Sequence, residues 1–246
     1  MNIALIGFGA MGKKIKEIAE YRGHTISVIV DPIYPQANHT SLTANELNGV
    51  DVAIDFSSAN SVISNVEIAA RAGVSIVIGT TGWLKDLALV EKITRESGIG
   101  LLWSANFSIG VNMYYRIVEE AAKLFNQFDE YDVWGTELHH HNKADSPSGT
   151  AKKLGEILLA RIKRKTAIVD NRLDRKIEPH EIHFSSTRGG PVNFNHTIGF
   201  DSASDTITIT HSARDRGGYA LGAVRAAEWL RGKKGYFTMD DFLINE

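Results

Sequence analysis

Cysteine is missing from the 246 residues altogether. Disulfides, thiolate zinc sites and iron–sulfur ligation are excluded with it. Charge of one sign is not in excess: 27 Lys and Arg face 29 Asp and Glu, a formal net charge of −2. That balance argues against a protein whose main task is to coat nucleic acid or anionic lipid. No segment approaches the ~18–20 apolar residues needed to span a bilayer. The opening run Met1–Gly7 is not preceded by a basic region and a long apolar stretch, so it does not read as a signal peptide. There is no internal repeat and no low-complexity segment. The expectation is a soluble cytoplasmic protein without nucleic-acid or membrane partners. What is present is a globular composition, 43% hydrophobic and 23% charged, which excludes a largely disordered chain. A chain of this length buries roughly 70–75% of its unfolded surface, as one large domain or two small ones.

The first half alternates short apolar runs with helical patterns. Strands are expected at Ile3–Ile6, Thr25–Val30, Val50–Asp55, Val74–Ile78 and Leu101–Trp103, and helices at 10–22, 60–72 and 84–97. Continuous Val/Ile/Leu runs are strands buried on both faces, as in a parallel sheet covered by helices. After Asn112 the rhythm changes. A long helix near 111–127 precedes a strand from Tyr131 to His141, then an amphipathic helix at 149–164. Three strands follow near 181–187, 194–200 and 205–211 with no helix between them. The expected class is α/β: a Rossmann-type doubly wound parallel sheet, with a second α+β domain carrying a mixed sheet. The first domain is expected to cover 1–110, completed by 216–246 through a helix at 217–231; the second covers 111–215. The basic run Arg161–Lys165 reads as a solvated helix end.

Gly7-Phe8-Gly9-Ala10-Met11-Gly12 lies between the first strand and the first helix. The first Gly permits the tight turn, the second lets backbone approach a pyrophosphate, and the third lets helix and strand pack closely. The pyrophosphate would rest on the helix N-terminus. Asp31 ends the second strand, where a carboxylate is expected to hold an adenosine ribose. Two further loops, Gly79-Thr80-Thr81-Gly82 and Ser104-Ala105-Asn106-Phe107, follow strands on the same sheet edge. Phe56, after a third strand, is placed to pack on a cofactor.

The stretch from Glu137 to Thr150 carries three consecutive histidines of the chain's nine, then Lys143. Ser148 is a candidate N-cap and a candidate substrate contact, and the N–H groups of Gly149 and Thr150 form an anion site. Cations beside a helix N-terminus call for a small anionic substrate such as a dicarboxylate. His139 or His140 is a candidate general acid, since imidazole titrates near neutral pH. Two rivals stand beside this reading: a zinc site, for which only His139 and His141 would share a face of an extended segment, and a purely structural polar cluster.

Together these stretches resemble the 4-hydroxy-tetrahydrodipicolinate reductase (dihydrodipicolinate reductase) family of lysine and diaminopimelate biosynthesis. E-L-H-H-H-N-K-A-D-S-P-S-G-T-A at 137–151 is similar to its signature. G-T-T-G at 79–82, A-N-F-S-x-G-V-N at 105–112 and G-A-V-R-A-A-x-W-L at 222–230 are similar as well. The resemblance implies a general acid/base at His139 and a second proton donor at Lys143. It implies substrate-carboxylate contacts at His140, Gly149 and Thr150, cofactor contacts at Gly7 to Gly12, Asp31, Gly79 to Thr81 and Ala105 to Phe107, no metal, and a homotetramer. Hydride transfer from a nicotinamide to a conjugated cyclic imine would accompany loss of the 4-hydroxyl as water. Closure about crossings near 108–112 and 214–217 is expected. Residues 188–196 depart from the family pattern R-x-G-x-x-x-G-x-H, with Phe194 where Gly is usual.

Pro32 follows Asp31 where the family often has Arg, and Lys13 and Lys14 are the only nearby cations, so NADH is expected to be preferred over NADPH. Two other readings remain at this point. One is an NAD(H)-binding sensor, with no acid/base cluster facing the nicotinamide. The other is an amino-acid dehydrogenase of similar architecture.

Overall fold

The computed structural model describes residues 1–244. In chain order the first elements are β1 (Asn2–Ile6), α1 (Ala10–Tyr21), β2 (Thr25–Val30), β3 (Val52–Asp55), α2 (Val62–Ala72), β4 (Ser75–Ile78), α3 (Leu87–Ser97) and β5 (Gly100–Trp103). Then come α4 (Ile109–Phe125), β6 (Asp132–His139), α5 (Gly149–Arg161), β7 (Ala167–Val169), β8 (Glu181–Arg188), β9 (Phe194–Asp201) and β10 (Thr206–Ala213). The chain continues through α6 (Gly217–Leu230), β11 (Gly235–Thr238) and α7 (Met239–Ile244). It divides into two units: Met1–Ile109 with the chain from Arg216 onward, and Gly110–Asp215.

The first unit holds a six-stranded sheet in the order β11-β5-β4-β3-β1-β2. All its pairings are parallel. Side chains alternate across a strand, and here both alternating sets are apolar. Ile3 and Leu5 of β1 join Ile15 of α1 and Ala223, Val224 and Ala227 of α6. Ala4 and Ile6 join Val62 and Val66 of α2 and Val90 of α3 on the opposite face. This double burial is why the strands read as continuous apolar runs.

The second unit holds a mixed five-stranded sheet, β10-β9-β6-β8-β7. β9 is antiparallel to β10 and β6, whereas β8 is parallel to β6 and β7. The fold class is therefore the expected one. Tyr114, Val118 and Ala122 of α4 and Leu154 and Leu158 of α5 cover the sheet with Val133, Ile182, Phe184, Ile198 and Phe200.

Three elements had no counterpart in the sequence reading: β7, β11 and α7. β7 and β11 have only 3 and 4 residues, all half-buried, too short for a period to register. The basic run is a solvated end only in part, since Arg161 and Lys163 are exposed but their neighbours are not. Ile162 is fully buried, and Lys165 is inward, its Nζ donating to the carbonyls of Pro179 and Glu181 at 2.8 Å and lying 2.6 Å from Asp132. Among the described residues no helix is long and apolar enough to cross a membrane.

Candidate active site

The parallel sheet reverses its strand order at β1, with β2 on one side and β3 on the other. In such sheets ligands bind outside the C-terminal strand ends at this switch point. Gly7 follows β1 with φ +92°, and a β-carbon there would lie 2.3 Å from the Phe56 carbonyl oxygen after β3. A β-carbon on Gly12 would lie 2.2 Å from the Gly7 carbonyl. Both glycines are thus required by close approach. Gly9 is different: a β-carbon there would meet nothing within 4 Å, because it faces open space. Gly9 also caps α1 without a side-chain hydrogen bond, and the first turn has no acidic residue. Its N–H groups and dipole are therefore available to an anion.

Two cavities open on this rim. One, of about 530 Å³, is lined by Gly7, Gly9, Asp31, Tyr34, Phe56 and Ser57 among others. The second, of about 390 Å³, is lined by Gly9 to Gly12, Phe56 and Gly79 to Thr81. An uncapped helix start beneath a side-chain-free Gly9 fits a dinucleotide pyrophosphate.

Several predicted contacts take on other duties. The side chains of Phe8 and Phe107 are core residues, 5% and 1% exposed, so only their main chains remain for a ligand. Ala105, Asn106 and Phe107 lie outside the lining of both cavities. The Thr80 hydroxyl donates to the buried carboxylate of Asp55 at 3.0 Å and accepts from the Ser57 N–H at 2.9 Å. Burial pushes the Asp55 carboxyl up, against hydrogen bonds from Ser57, Asn65 and Thr80. The result ties the end of β3 to the 79–82 loop. Asp31 accepts from the N–H groups of Phe8 at 2.7 Å, Ile33 at 2.8 Å and Tyr34 at 3.1 Å. Burial opposes its charge, but these N–H groups outweigh it and hold the carboxyl below its ordinary range. Ribose must share an acceptor that the main chain already uses.

In the second unit, register builds the site. β6 reads alternately buried, so Val133, Gly135, Glu137 and His139 share the inner face. Opposite them on β9 stand Phe200, Ile198, His196 and Phe194, and on β8 Phe184, Ser186 and Arg188 face Gly135, Glu137 and His139. The inner face therefore turns from apolar to polar along one strand. Its first two layers are core, and the next two are Glu137/His196/Ser186 and His139/Phe194/Arg188.

Glu137 is the hub and is 1% exposed. Its Oε1 accepts from Ser186 at 2.8 Å, Arg188 at 2.8 Å and the Ser148 N–H at 3.0 Å. Its Oε2 lies 3.2 Å from Nε2 of both His196 and His139. The His196 contact is a hydrogen bond, whereas His139 Nε2 is buried and not aligned for one. Burial opposes the carboxylate, but hydrogen bonds from His196, Ser148, Arg188 and Ser186 hold its carboxyl far below the usual range. His139 is driven down to about 4, first by burial and further by His196, Lys143 and Arg188, with Glu137 opposing. The near-neutral imidazole expected from sequence is thus corrected: His139 is neutral at pH 7 without a ligand.

The donors Glu137, His139 and His196 lie within 4.8 Å of one another. A guanidinium already sits on the other oxygen of Glu137 and would repel a dication, so the cluster is organised around the Glu137–Arg188 ion pair. His141 does not belong to it, since its Nδ1 donates to the Gly190 carbonyl at 2.9 Å.

Ser148 caps α5 as expected, its hydroxyl accepting from the Ala151 N–H at 3.1 Å. The same hydroxyl lies 3.1 Å from His196 Nε2 and is 3% exposed as a residue. The cap and His196 thus already engage the Ser148 hydroxyl, which is expected among the substrate contacts. The N–H groups of Gly149 and Thr150 remain for an anion. The Thr150 side chain hydrogen-bonds Tyr115. Lys143 Nζ donates to Asp145 at 2.7 Å, and the Asp145 carbonyl accepts from Arg188 at 2.7 Å. Sequence reasoning missed Glu137, Ser186, Arg188 and His196 as a unit. A period-2 reading back from His139 would have reached Glu137, but the partners need the register of three strands.

Residues 1–107 match the family model described as dihydrodipicolinate reductase, N-terminus, and residues 110–243 match that of the C-terminus. A 4-hydroxy-tetrahydrodipicolinate reductase of Christiangramia forsetii is 38% identical over 99% of this chain and 98% of its own. One from Archaeoglobus fulgidus is also 38% identical, over 99% of this chain and all of its own. A solved dipicolinate-bound dihydrodipicolinate reductase from Paenisporosarcina shares the fold, with a TM-score of 0.79 at 20% identity over 97% of each chain.

Proposed function

The chain belongs to the dihydrodipicolinate reductase family, and on that premise we propose that it reduces 4-hydroxy-tetrahydrodipicolinate in diaminopimelate and lysine biosynthesis. The observation that carries the reading is the His139–Glu137–His196–Arg188 layer beside the α5 N-terminus, one strand end from Lys143. A sensor that only binds NAD(H) has no use for an imidazole held against a buried carboxylate. The substrate takes up a hydride and a proton and loses its 4-hydroxyl as water. A nicotinamide cofactor, held by the Gly7–Gly12 rim, supplies the hydride when bound.

The chain's own residues do the rest. Lys143, His140 and the N–H groups of Gly149 and Thr150 hold the two carboxylates. An incoming dianion adds negative charge beside His139 and favours its protonated form, offsetting the burial that keeps it neutral. His139, or Lys143 freed from Asp145, then delivers the proton. The test is oxidation of NADH on adding freshly made condensation product of pyruvate and aspartate semialdehyde. Absence of turnover, with NADH bound, would refute the assignment.

On this reading the Thr150 hydroxyl exchanges Tyr115 for a substrate carboxylate, so Thr150→Val is expected to raise the substrate KM about 10-fold or more, since a hydrogen bond to a charged group is worth about 1.5–3 kcal/mol. Stability should fall by only about 1 kcal/mol through the lost Tyr115 contact. An unchanged KM in steady-state assays counts against the carboxylate site.

For the cofactor we propose NADH over NADPH by about 10-fold, equivalent to about 1.4 kcal/mol. Asp31 is ionised and would face a 2′-phosphate. Lys14 is 2.9 Å from Glu17, which leaves Lys13, whose Nζ lies 4.3 Å from the Tyr34 ring centroid. Lys13→Ala should lower kcat/KM with NADPH more than with NADH, and added salt should do the same to the parent enzyme. Equal or better efficiency with NADPH would overturn the charge argument.

The reading extends to a cytoplasmic homotetramer assembled through 111–215. β10 forms one edge of the second sheet, and its Ile207 is 46% exposed; such an edge calls for cover. Light scattering at micromolar concentration should give four times 27.0 kDa, and a monomer would contradict it.

A further inference from the structure

Phe194 opens β9 directly opposite His139 across the antiparallel pair. Its ring lies on the imidazole with centroids 5.6 Å apart and planes at 24°. The other side of Phe194 is backed by His211, at 5.7 Å and 29°. His211 in turn stacks on Tyr114 of α4, at 5.8 Å and 28°. Tyr114 is 4% exposed, and its hydroxyl donates to the Ile209 carbonyl at 3.0 Å. His196 meets the Phe194 ring edge-on at 5.7 Å. The four rings His139, Phe194, His211 and Tyr114 thus form a row whose far end is anchored in the core. Phe194 cannot swing away without displacing the ring behind it.

The remaining sides of His139 are occupied as follows. Glu137 of its own strand and His196 of β9 crowd Nε2. Arg188 of β8 and Lys143 of the following loop add positive charge. His211 of β10 stands behind Phe194. Among these neighbours Phe194 alone is uncharged and without a titrating group, and it covers a ring face rather than an edge.

We propose that Phe194 is a positioning residue for His139: it fixes the plane in which the imidazole presents its proton and keeps water off one face. The proposal rests on the reading of His139 as the proton-handling group. It makes the aromatic at 194, where the family pattern has glycine, a specific device of this chain. Covering the imidazole strips water from it, and this loss of hydration outweighs the attraction of the ring face for a cation, in line with the burial that holds His139 near 4. It also limits rotation about the last side-chain torsion, which otherwise is broad.

The test compares Phe194→Gly and Phe194→Leu with the parent. The His139 signal is followed by NMR titration and identified by its loss in His139→Asn. Alongside it run kcat, KM and their pH profiles with the cyclic substrate. In Phe194→Gly the His139 midpoint should rise by about one pH unit toward the ordinary 6.5. kcat should fall about 10-fold while KM changes less than two-fold, a split expected when orientation rather than binding is lost. Phe194→Leu keeps bulk without a flat face and should move both quantities in the same direction by less.

A midpoint that stays put in folded Phe194→Gly overturns the proposal, as does a kcat within two-fold of the parent with a shifted pH profile. If the glycine variant does not fold, an unmoved midpoint and kcat in Phe194→Leu overturn it instead. A midpoint that moves while kcat and its pH profile do not would uphold Phe194 as the cover of His139. That result would instead overturn the assignment of His139 to proton transfer.

Discussion

Turnover is expected to fall by about 10²–10⁴-fold when His139 is replaced by alanine, with NADH affinity changed less than two-fold. The size is that of a general acid removed from its site. The selectivity follows from where the ring is held, since Glu137, His196 and Phe194 all belong to the second sheet. The free enzyme keeps His139 neutral, so its proton must be acquired with the dianionic substrate. The pH dependence of kcat, which reports the complex, should accordingly show a higher midpoint than the value near 4 in the free protein. Lys143→Ala should cost turnover on the same scale. It removes a cation held in reserve by Asp145, whose carboxyl the Lys143 hydrogen bond keeps below its ordinary range. Single-turnover hydride transfer and NADH fluorescence titration separate the two effects. Parallel loss of cofactor binding in either variant would remove that residue from the substrate side.

How much of this was legible beforehand differs between the two units. The parallel sheet was readable because its strands are buried on both faces, so that Ile3–Ile6 and Val74–Ile78 stand out as apolar runs. Gly7 and Gly12 were readable because their function is steric and local. Asp31 was found, but three main-chain N–H groups occupy it, and no residue pattern announces that a carboxylate will be used by its own loop. Ser148 is legible as a cap, but that the cap and His196 both engage its hydroxyl is not. The polar layer was the least legible. Glu137 was quoted within the His–Lys stretch and given no role. Arg188 and His196 lie about fifty and sixty residues further along the chain, joined to it only when β8 and β9 take their register. A sequence shows period within a strand, but cross-strand neighbours are tertiary facts. Phe194 illustrates the same limit: in the sequence it is only a departure from a pattern, whereas register sets it opposite His139.

Glu137→Gln is expected to be the most destructive single change for the fold. The substitution is nearly isosteric, so packing is kept and charge alone is removed. The carboxylate balances Arg188, whose side chain is 18% exposed, and accepts from Ser186, the Ser148 N–H and His196. Breaking one side of a buried pair leaves an uncompensated charge and costs on the order of 3–5 kcal/mol, reduced here to the extent that water reaches Arg188. Glu137→Gln/Arg188→Met removes both charges and should recover part of that stability, because a buried pair is often no better than apolar replacements. Turnover should stay low in both, since the negative charge that supports protonated His139 is gone. The pH dependence carries its own sign. In the native state the carboxyl is held far below its unfolded value, about 4.3, so its stabilisation is complete above that value and is lost as pH falls through the acid range. His139 acts in the same direction at higher pH. Its folded value near 4 lies below the unfolded 6.5, so the unfolded chain binds the extra proton and stability declines between those values. Thermal melts from pH 7 to pH 3 should therefore show a steady loss in the parent. In Glu137→Gln the decline below about pH 4.5 should be shallower, from a lower starting point. A parent melting temperature that holds level across that range would refute the role of Glu137 as the ionised centre of the second unit.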